Sequence, residues 1–236
     1  MTLDTGLVSY YKCDEASGNA ADSVGSNTLT NVGTVTYSAG KINNGANFTS
    51  GKYLTINSNT SLQLVGDMTI SCWAYYTSGG SGGPMVTKSN GSASNVNYEF
   101  EFVWQSLNSG TNQLDWASSN TSNFYLNHST TIPTLSANTW YHMVAVRSSG
   151  NITFYVNGTS YAGTGWHGAS SNIGASTIPF QVGQRYDNYN FPGSLDEVGI
   201  WSRAITSAEV TQLYNGGAGL PLSQFSPVNS NFLMFF

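Results

Sequence analysis

The residues with the clearest catalytic potential are two glutamates in a short aromatic segment. Glu99 and Glu101 alternate with Tyr98, Phe100 and Phe102. Successive side chains of a strand point to opposite faces, so both carboxylates would share one face. Two carboxylates about 5–5.5 Å apart could act as nucleophile and acid/base in a retaining glycoside hydrolase. The same alternation is typical of a strand with one solvated face, and we expect the glutamates to lie on that solvated side.

Carbohydrate recognition is a second chemistry that the sequence favours. Sugars offer apolar C–H faces to aromatic rings and hydroxyl groups to directed hydrogen bonds, so aromatic residues beside amides suit them. Segments 165–168, 185–191 and 123–127 have this composition, and we expect them to be loops. The alternative is that their aromatic side chains anchor long loops to the core. The candidate ligand-binding residues are Trp166, Tyr186, Asp187, Asn188 and Tyr189.

The three histidines do not suggest a metal or catalytic site. His128 and His167 lie far apart in sequence and lack the spacing of zinc ligands. His142 follows Trp140 in an apolar, strand-like segment. We expect His142 to be a half-buried structural histidine whose hydrogen bonds are satisfied.

The elements that must position these residues are short strands. Runs rich in aromatic and β-branched residues are bounded by Gly, Asn, Ser or Pro. Their number, with almost no helical pattern, predicts two packed antiparallel sheets. The predicted strands are residues 7–13, 46–48, 53–56, 68–76, 85–88, 98–104, 113–117, 140–147, 152–156, 180–183 and 194–201.

Two local motifs are well specified. Asn157 and Gly158 follow the strand 152–156 and form the residue pair preferred in a type I′ hairpin turn. Thr206 and Glu209 match a capping box at the start of a short helix, which Gly216 could end. We expect this helix to cover one end of the sandwich.

Composition and charge exclude several classes of function. The chain has 236 residues, a length that one all-β domain can reach, and only 8% of them are charged. Its seven basic residues are scattered and the net charge is −5, so we expect no nucleic-acid partner. No apolar stretch is long enough to span a membrane, and no secretion signal follows Met1. A processed start, leaderless export or release by lysis would each fit an extracellular or virion location.

The two cysteines, Cys13 and Cys72, lie in apolar segments without CxxC spacing. We expect two buried free thiols, because free cysteine is among the most buried residue types. A disulfide between them is the alternative.

The C-terminal segment differs from the rest of the chain in composition. We place the domain at residues 1–220 and an apolar tail at 221–236. Residues 232–236 are all apolar, and exposing them would cost about 25 cal/mol per Å² of apolar surface. The tail would therefore dock on the domain itself or on a neighbouring subunit, which would give a homo-oligomer.

Several segments together resemble the concanavalin A-like lectin/glucanase superfamily, and within it the laminin-G-like jelly rolls. They are GLVSYY at 6–11, DEASGN at 14–19, DS at 22–23, MTISCW at 68–73, NTWYHMV at 138–144, ITFYVNG at 152–158 and FPGSLDEVGIWSRA at 191–204. With the predicted helix after them, they span about residues 6–219. The resemblance implies two antiparallel sheets, in agreement with the strand pattern. We therefore predict an all-β fold, a two-sheet antiparallel jelly-roll sandwich with one short C-terminal helix.

The resemblance also implies a calcium site. Many relatives hold Ca²⁺ between the loop after the first strand and the Asp-Glu segment of the last strand. The matching positions here are Asp22 and Asp196, with Asn19 or Asn27 as further oxygen donors. Calcium takes six to eight oxygen ligands, which such a loop could supply. Alternatively, Asp22 caps a turn and Asp196 accepts backbone hydrogen bonds.

Glycosidases of the same superfamily share an E-x-D-x-x-E strand motif. The third carboxylate is missing here, because Glu101 is followed by Phe102, Val103, Trp104 and Gln105. We therefore expect no catalysis, with glycoside hydrolysis as an alternative.

The leading hypothesis is a non-catalytic recognition or adhesion module for cell-surface or polymeric carbohydrate. The alternative is a structural component of a virion or extracellular assembly, such as a decoration or fibre-tip protein. The uncharged surface and the apolar tail favour this alternative. Glycan titrations and the oligomeric mass distinguish the two.

Overall fold

The computed structural model describes residues 1–77, 82–89, 98–106, 110–120, 123–166 and 173–226. These residues form fifteen strands and one α-helix. The strands are β1 (Leu7–Tyr11), β2 (Thr30–Val32), β3 (Thr36–Ala39), β4 (Asn44–Phe48), β5 (Tyr53–Ile56), β6 (Met68–Tyr76), β7 (Gly83–Ser89), β8 (Tyr98–Ser106), β9 (Gly110–Ser119), β10 (Phe124–Ser129), β11 (Trp140–Ser148), β12 (Asn151–Val156), β13 (Thr159–Trp166), β14 (Phe180–Val182) and β15 (Gly193–Trp201). The helix α1 is Ser207–Tyr214, and short 3-10 helices are Thr60–Leu62, Asn215–Gly217 and Leu222–Gln224.

The strands form two antiparallel sheets joined at one corner. Sheet one has the order β3-β4-β15-β6-β11-β12-β13, with β1 also paired to β15, and sheet two has the order β2-β5-β14-β7-β8-β9-β10-β13. Strand β13 belongs to both, because Thr159 to Ala162 pair with β12 and Gly163 to Trp166 pair with β10. The predicted two-sheet jelly roll with one short helix is confirmed.

The main core lies between the two sheets and is strongly aromatic. Strand β8 contributes Phe100, Phe102 and Trp104, which are fully buried and alternate with residues of the other face. Phe100 stacks on Trp116 with ring centroids 6.0 Å apart. Each such side chain contributes roughly 1.5–3 kcal/mol on burial, so the alternation of β8 fixes which of its faces turns inward.

A second apolar cluster lies on the outer face of sheet one. Val210 and Leu213 of α1 pack there with Tyr10 and Trp201, so the helix covers this face and not an end of the sandwich as expected. The predicted capping box is confirmed, since the Thr206 side chain accepts from the Glu209 amide and the Glu209 side chain accepts from the Thr206 amide.

Residues 221–226 belong to the packed structure. Phe225 is buried and meets Tyr10 edge-to-face at 5.2 Å. The predicted tail contact of Phe232 to Phe236 lies outside the described residues. Among the residues described, no helix combines the length and apolar character that crossing a bilayer requires.

The predicted hairpin turn is confirmed. Asn157 and Gly158 have φ values of 50° and 81°, as a type I′ turn requires at both central positions. The predicted free thiols are also confirmed, because Cys13 and Cys72 are unpaired and buried.

Three short strands, β2, β3 and β10, were not predicted, and only the start of β13 was, as the return of the hairpin after Gly158. β2 and β3 are exposed or half-buried, and each lies at the open edge of its sheet. Because they bury little apolar surface, their sequences carry almost no alternation.

Candidate functional site

The strongest candidate site is the loop between β14 and β15, residues 183–191. It forms a narrow hairpin in which the Phe191 amide donates to the Gly183 carbonyl at 2.9 Å and the Arg185 amide donates to the Tyr189 carbonyl at 2.9 Å. Asn188, at φ 66°, turns the chain at the tip. Phe191 is fully buried and fixes the loop to the core.

Arg185 holds the loop from below. Its guanidinium donates two hydrogen bonds to Asp187, at 2.9 and 2.8 Å, and one to Glu101 of β8 at 2.9 Å. It also lies 5.2 Å from the centre of the Tyr189 ring. Burial raises the pKa of the Asp187 carboxyl, but the hydrogen bonds and charge of Arg185 outweigh it and lower that pKa overall. The loop therefore has a fixed, charge-paired base.

The side chain of Tyr186 is exposed to solvent. It is 62% exposed, and it is the one aromatic residue among the described side chains that is largely exposed. Asp187 and Asn188 are exposed beside it, and Tyr189 is half-buried. The structure therefore brings four predicted ligand-binding residues together on one loop, with a free ring beside polar groups.

The other two aromatic segments behave differently. The side chain of Trp166, at the end of β13, and the segment after it lie outside the described residues. Segment 123–127 was expected to be a loop, but most of it is strand β10. Tyr125 is buried, and its hydroxyl accepts from the side-chain amides of Asn120 and Asn123. This segment is therefore part of the scaffold.

The expectation that Glu99 and Glu101 lie on a solvated face is wrong. Both are buried, with exposures of 0% and 1%. Glu99 pairs with Lys88 and accepts from the Ser176 amide at 3.0 Å, and Glu101 pairs with Arg185. Burial raises the pKa of Glu101, and the charge of Arg185 partly offsets this. The loops at 176 and 185 cover the outer face of β8, which strand alternation alone cannot reveal.

Two histidines are among the other described side chains that could act as an acid or a base. His128 Nδ1 lies 2.8 Å from the Asp115 carboxylate, a side-chain hydrogen bond that the sequence did not suggest. His142 is fully buried, deeper than expected, with Nε2 2.9 Å from the Ser71 hydroxyl. Its Nδ1 has no hydrogen-bond partner within the described part of the chain, and burial lowers the pKa of His142 to about 3.

The loop after β1 holds the first predicted calcium ligand. Asp22 Oδ1 accepts from the amides of Tyr10, Val24 and Gly25, and its Oδ2 accepts from the amide of Asn27. All four distances are 3.0 or 3.1 Å. This is the turn-capping role that the sequence left as an alternative.

The other predicted ligands are similarly engaged. Asp196 is buried and accepts from the amides of Lys41, Ile42 and Glu197. Burial raises the pKa of Asp196 to about 8, against the effect of those amides. The Asn19 side-chain oxygen accepts from the Asn31 amide at 3.0 Å.

Backbone amides thus already occupy part of the acceptor capacity of both predicted carboxylate ligands, Asp22 and Asp196. Within the described residues, no three His, Cys, Asp or Glu side chains are close enough to share a metal ion. Calcium binding stays a prediction of the resemblance.

Comparison with known families agrees with this architecture. The laminin G model of the concanavalin A-like lectin/glucanases superfamily matches residues 48–211, which is more than half of the chain. The chain belongs to this superfamily. No curated protein sequence matches the chain significantly.

Solved structures with this superfamily fold include both binding domains and parts of enzymes. Domain 4 of AbnA, an extracellular arabinanase from Geobacillus stearothermophilus in complex with arabinotriose, is similar with a TM-score of 0.65 and 19% identity over 87% of this chain and 97% of that domain. The binding domain of Paraclostridial Mosquitocidal Protein 1 is similar with a TM-score of 0.69 and 17% identity, over 91% of this chain and 53% of that chain. Trypanosoma rangeli sialidase is similar with a TM-score of 0.61 and 13% identity, over 92% of this chain and 34% of the sialidase chain. At these identities the likeness concerns the fold alone.

Proposed function

We propose that this protein is a non-catalytic carbohydrate-recognition module that binds a sugar of a polymeric or cell-surface glycan against Tyr186. The observation that carries the proposal is the exposed ring of Tyr186 on a loop that Arg185 ties to Asp187 and to Glu101 of β8. A rigid loop loses little conformational entropy when a ligand binds, so most of the stacking energy becomes affinity. We place this binding outside the cell or on a virion surface, where such glycans occur.

The polar residues beside the ring suit a sugar. Asp187 keeps its carboxylate partly exposed while Arg185 fixes it, so its oxygens can accept from sugar hydroxyls without reorganising. Asn188 provides an exposed amide at the tip of the loop. A neighbour of the same fold was solved with arabinotriose, which supports the class of ligand.

The state of the carboxylates supports a role without catalysis. A retaining glycosidase needs one ionised carboxylate as nucleophile and one as acid/base at the sugar. Glu99 and Glu101 are instead buried and tied to Lys88 and Arg185. An attacking carboxylate would have to leave its ion pair, at a cost of several kcal/mol.

The test is a titration of the purified protein with arabinan, xylan, galactan, mannan and β-glucan, together with their trisaccharides. Binding is measured by calorimetry, and released reducing ends are assayed over the same period. We expect saturable binding to at least one polysaccharide and no reducing ends. Flat titrations throughout would overturn carbohydrate binding, and turnover would overturn the non-catalytic part.

A further inference from the structure

A cleft of about 520 Å³ opens between the loop after β1 and the turn that joins β2 to β3. Strands β2 and β3 are the edge strands of the two sheets, so the cleft lies at the open side of the sandwich. Its volume falls within the range of small-molecule sites, roughly 300–1,000 Å³. None of the residues lining it is charged.

The walls of the cleft are held rigidly. The Asn31 side chain donates to the Gly18 carbonyl at 2.7 Å and to the Val35 carbonyl at 2.8 Å, and accepts from the Val35 amide at 2.7 Å. The Tyr37 hydroxyl donates to Gly18 from the other side, at 2.9 Å. Thr34 has φ 64°, an unfavourable conformation for a β-branched residue that this network maintains.

The lining offers polar groups that the protein itself does not use. Ser17, Asn19, Thr34 and Thr36 line the cleft and carry three hydroxyls and a side-chain NH₂. All four residues are exposed, and none of these groups bonds to another protein group in the part of the chain described. With the half-buried ring of Tyr37, the lining combines hydroxyl, amide and aromatic surface without charge. An uncharged, hydroxyl-rich ligand matches it, because each sugar hydroxyl can both donate and accept.

The cleft and the Tyr186 loop flank the same turn, residues 49–52. On one side, Gly33 approaches the turn so closely that a Cβ there would lie 2.0 Å from the Gly51 carbonyl oxygen. On the other side, the Asn190 side chain donates to the Thr49 carbonyl at 3.3 Å. The turn 49–52 therefore joins the wall of the cleft to the base of the Tyr186 loop.

We propose that the cleft is a second subsite for the glycan bound at Tyr186, taking an uncharged sugar residue farther along the same chain. The binding surface then runs from Tyr186 across residues 49–52 to Tyr37. This inference rests on the proposed function and extends it, since it assigns the ligand to neutral polysaccharides several residues long.

The test uses two variants that fill the cleft from exposed positions, Thr36→Arg and Ser17→Trp. The matched control is Thr131→Arg, also at an exposed threonine, in the segment that follows β10. Each is titrated with the polysaccharide of the panel that binds the wild-type protein most tightly and with its trisaccharide. The two independent fillings guard against one variant failing to fold, which circular dichroism and melting detect.

We expect both cleft variants to bind the polysaccharide about tenfold more weakly than the control, a loss of about 1.4 kcal/mol, while trisaccharide binding at Tyr186 is unchanged. Folded cleft variants that bind the polysaccharide as the control does would overturn the second subsite and leave the Tyr186 site intact. A wild-type protein that binds no polysaccharide would instead overturn the proposed function itself.

Discussion

Glu101 of β8 accepts a 2.9 Å hydrogen bond from the guanidinium of Arg185, 84 residues later in the chain. The pair is almost completely buried, with side-chain exposures of 2% and 6%. It joins the loop that carries Tyr186 to a central strand of sheet two. The orientation of the candidate ligand-binding ring therefore depends on a residue of the scaffold.

Breaking this pair from one side should be strongly destabilising. Arg185→Met leaves Glu101 buried without its cation, and we expect the free energy of unfolding to fall by about 3–5 kcal/mol. Adding Glu101→Gln removes the uncompensated charge and should recover a substantial part of the loss. Urea unfolding of the two single variants and the double variant measures both effects. Additive losses would show that the two residues act independently.

The hairpin turn offers a test of local backbone strain. Gly158 has φ 81°, so Gly158→Ala should destabilise the protein by about 1 kcal/mol. Gly66 is the control, because a Cβ there meets nothing within 4 Å and its φ is not positive. We expect Gly66→Ala to be neutral or slightly stabilising. Equal melting temperatures for the two variants would contradict the turn assignment.

His142 should remain neutral at mildly acidic pH. Burial lowers its pKa to about 3, so its ring resonances should not shift between pH 8 and pH 5. The chain has three histidines, and the spectrum of His142→Gln identifies which signal is lost. A titration of that signal near pH 6.5 would show that the ring is hydrated.

The same histidine gives a pH dependence of stability with a defined sign. Its folded pKa is lower than its unfolded value of about 6.5, so the unfolded chain binds the extra proton between these two values. Stability should therefore decrease as the pH falls from about 6.5 toward 3, by at most about 1.4 kcal/mol per pH unit. The slope should be smaller in His142→Gln, as unfolding at several pH values can measure.

Asp22 should stabilise its loop through amides and not through calcium. Asp22→Ala removes the acceptor of four backbone N–H groups, and we expect a loss of about 2 kcal/mol. The loss should be equal in calcium and in EDTA, measured by thermal melting. A loss that disappears in EDTA would show that the ion holds the loop.

The hairpin turn and the helix start were predictable because each is determined by residues that are close together in sequence. Asn157 and Gly158 fix the hairpin through their own backbone preferences, and Thr206 with Glu209 fixes the start of α1. The loop at 186 could be selected from composition alone. Its aromatic and amide residues are adjacent in sequence.

The remaining site features depend on contacts between distant segments. Glu99 and Glu101 are buried because the loops at 176 and 185 cover the outer face of β8. The alternation of β8 predicts that both side chains share a face, but it does not show that loops cover that face. The cleft at Tyr37 arises where edge strands of two sheets approach each other, and neither strand was predicted. No sequence pattern around polar residues such as Asn31 predicts that they form the wall of a cleft.

Calorimetry of glycan binding by the wild-type protein, Tyr186→Ala and Tyr186→Phe tests whether the sugar stacks on the Tyr186 ring. If it does, Tyr186→Ala should weaken binding about tenfold or more, while Tyr186→Phe should remain close to wild type. A folded alanine variant that binds as tightly as the wild-type protein would show that Tyr186 is not the binding site.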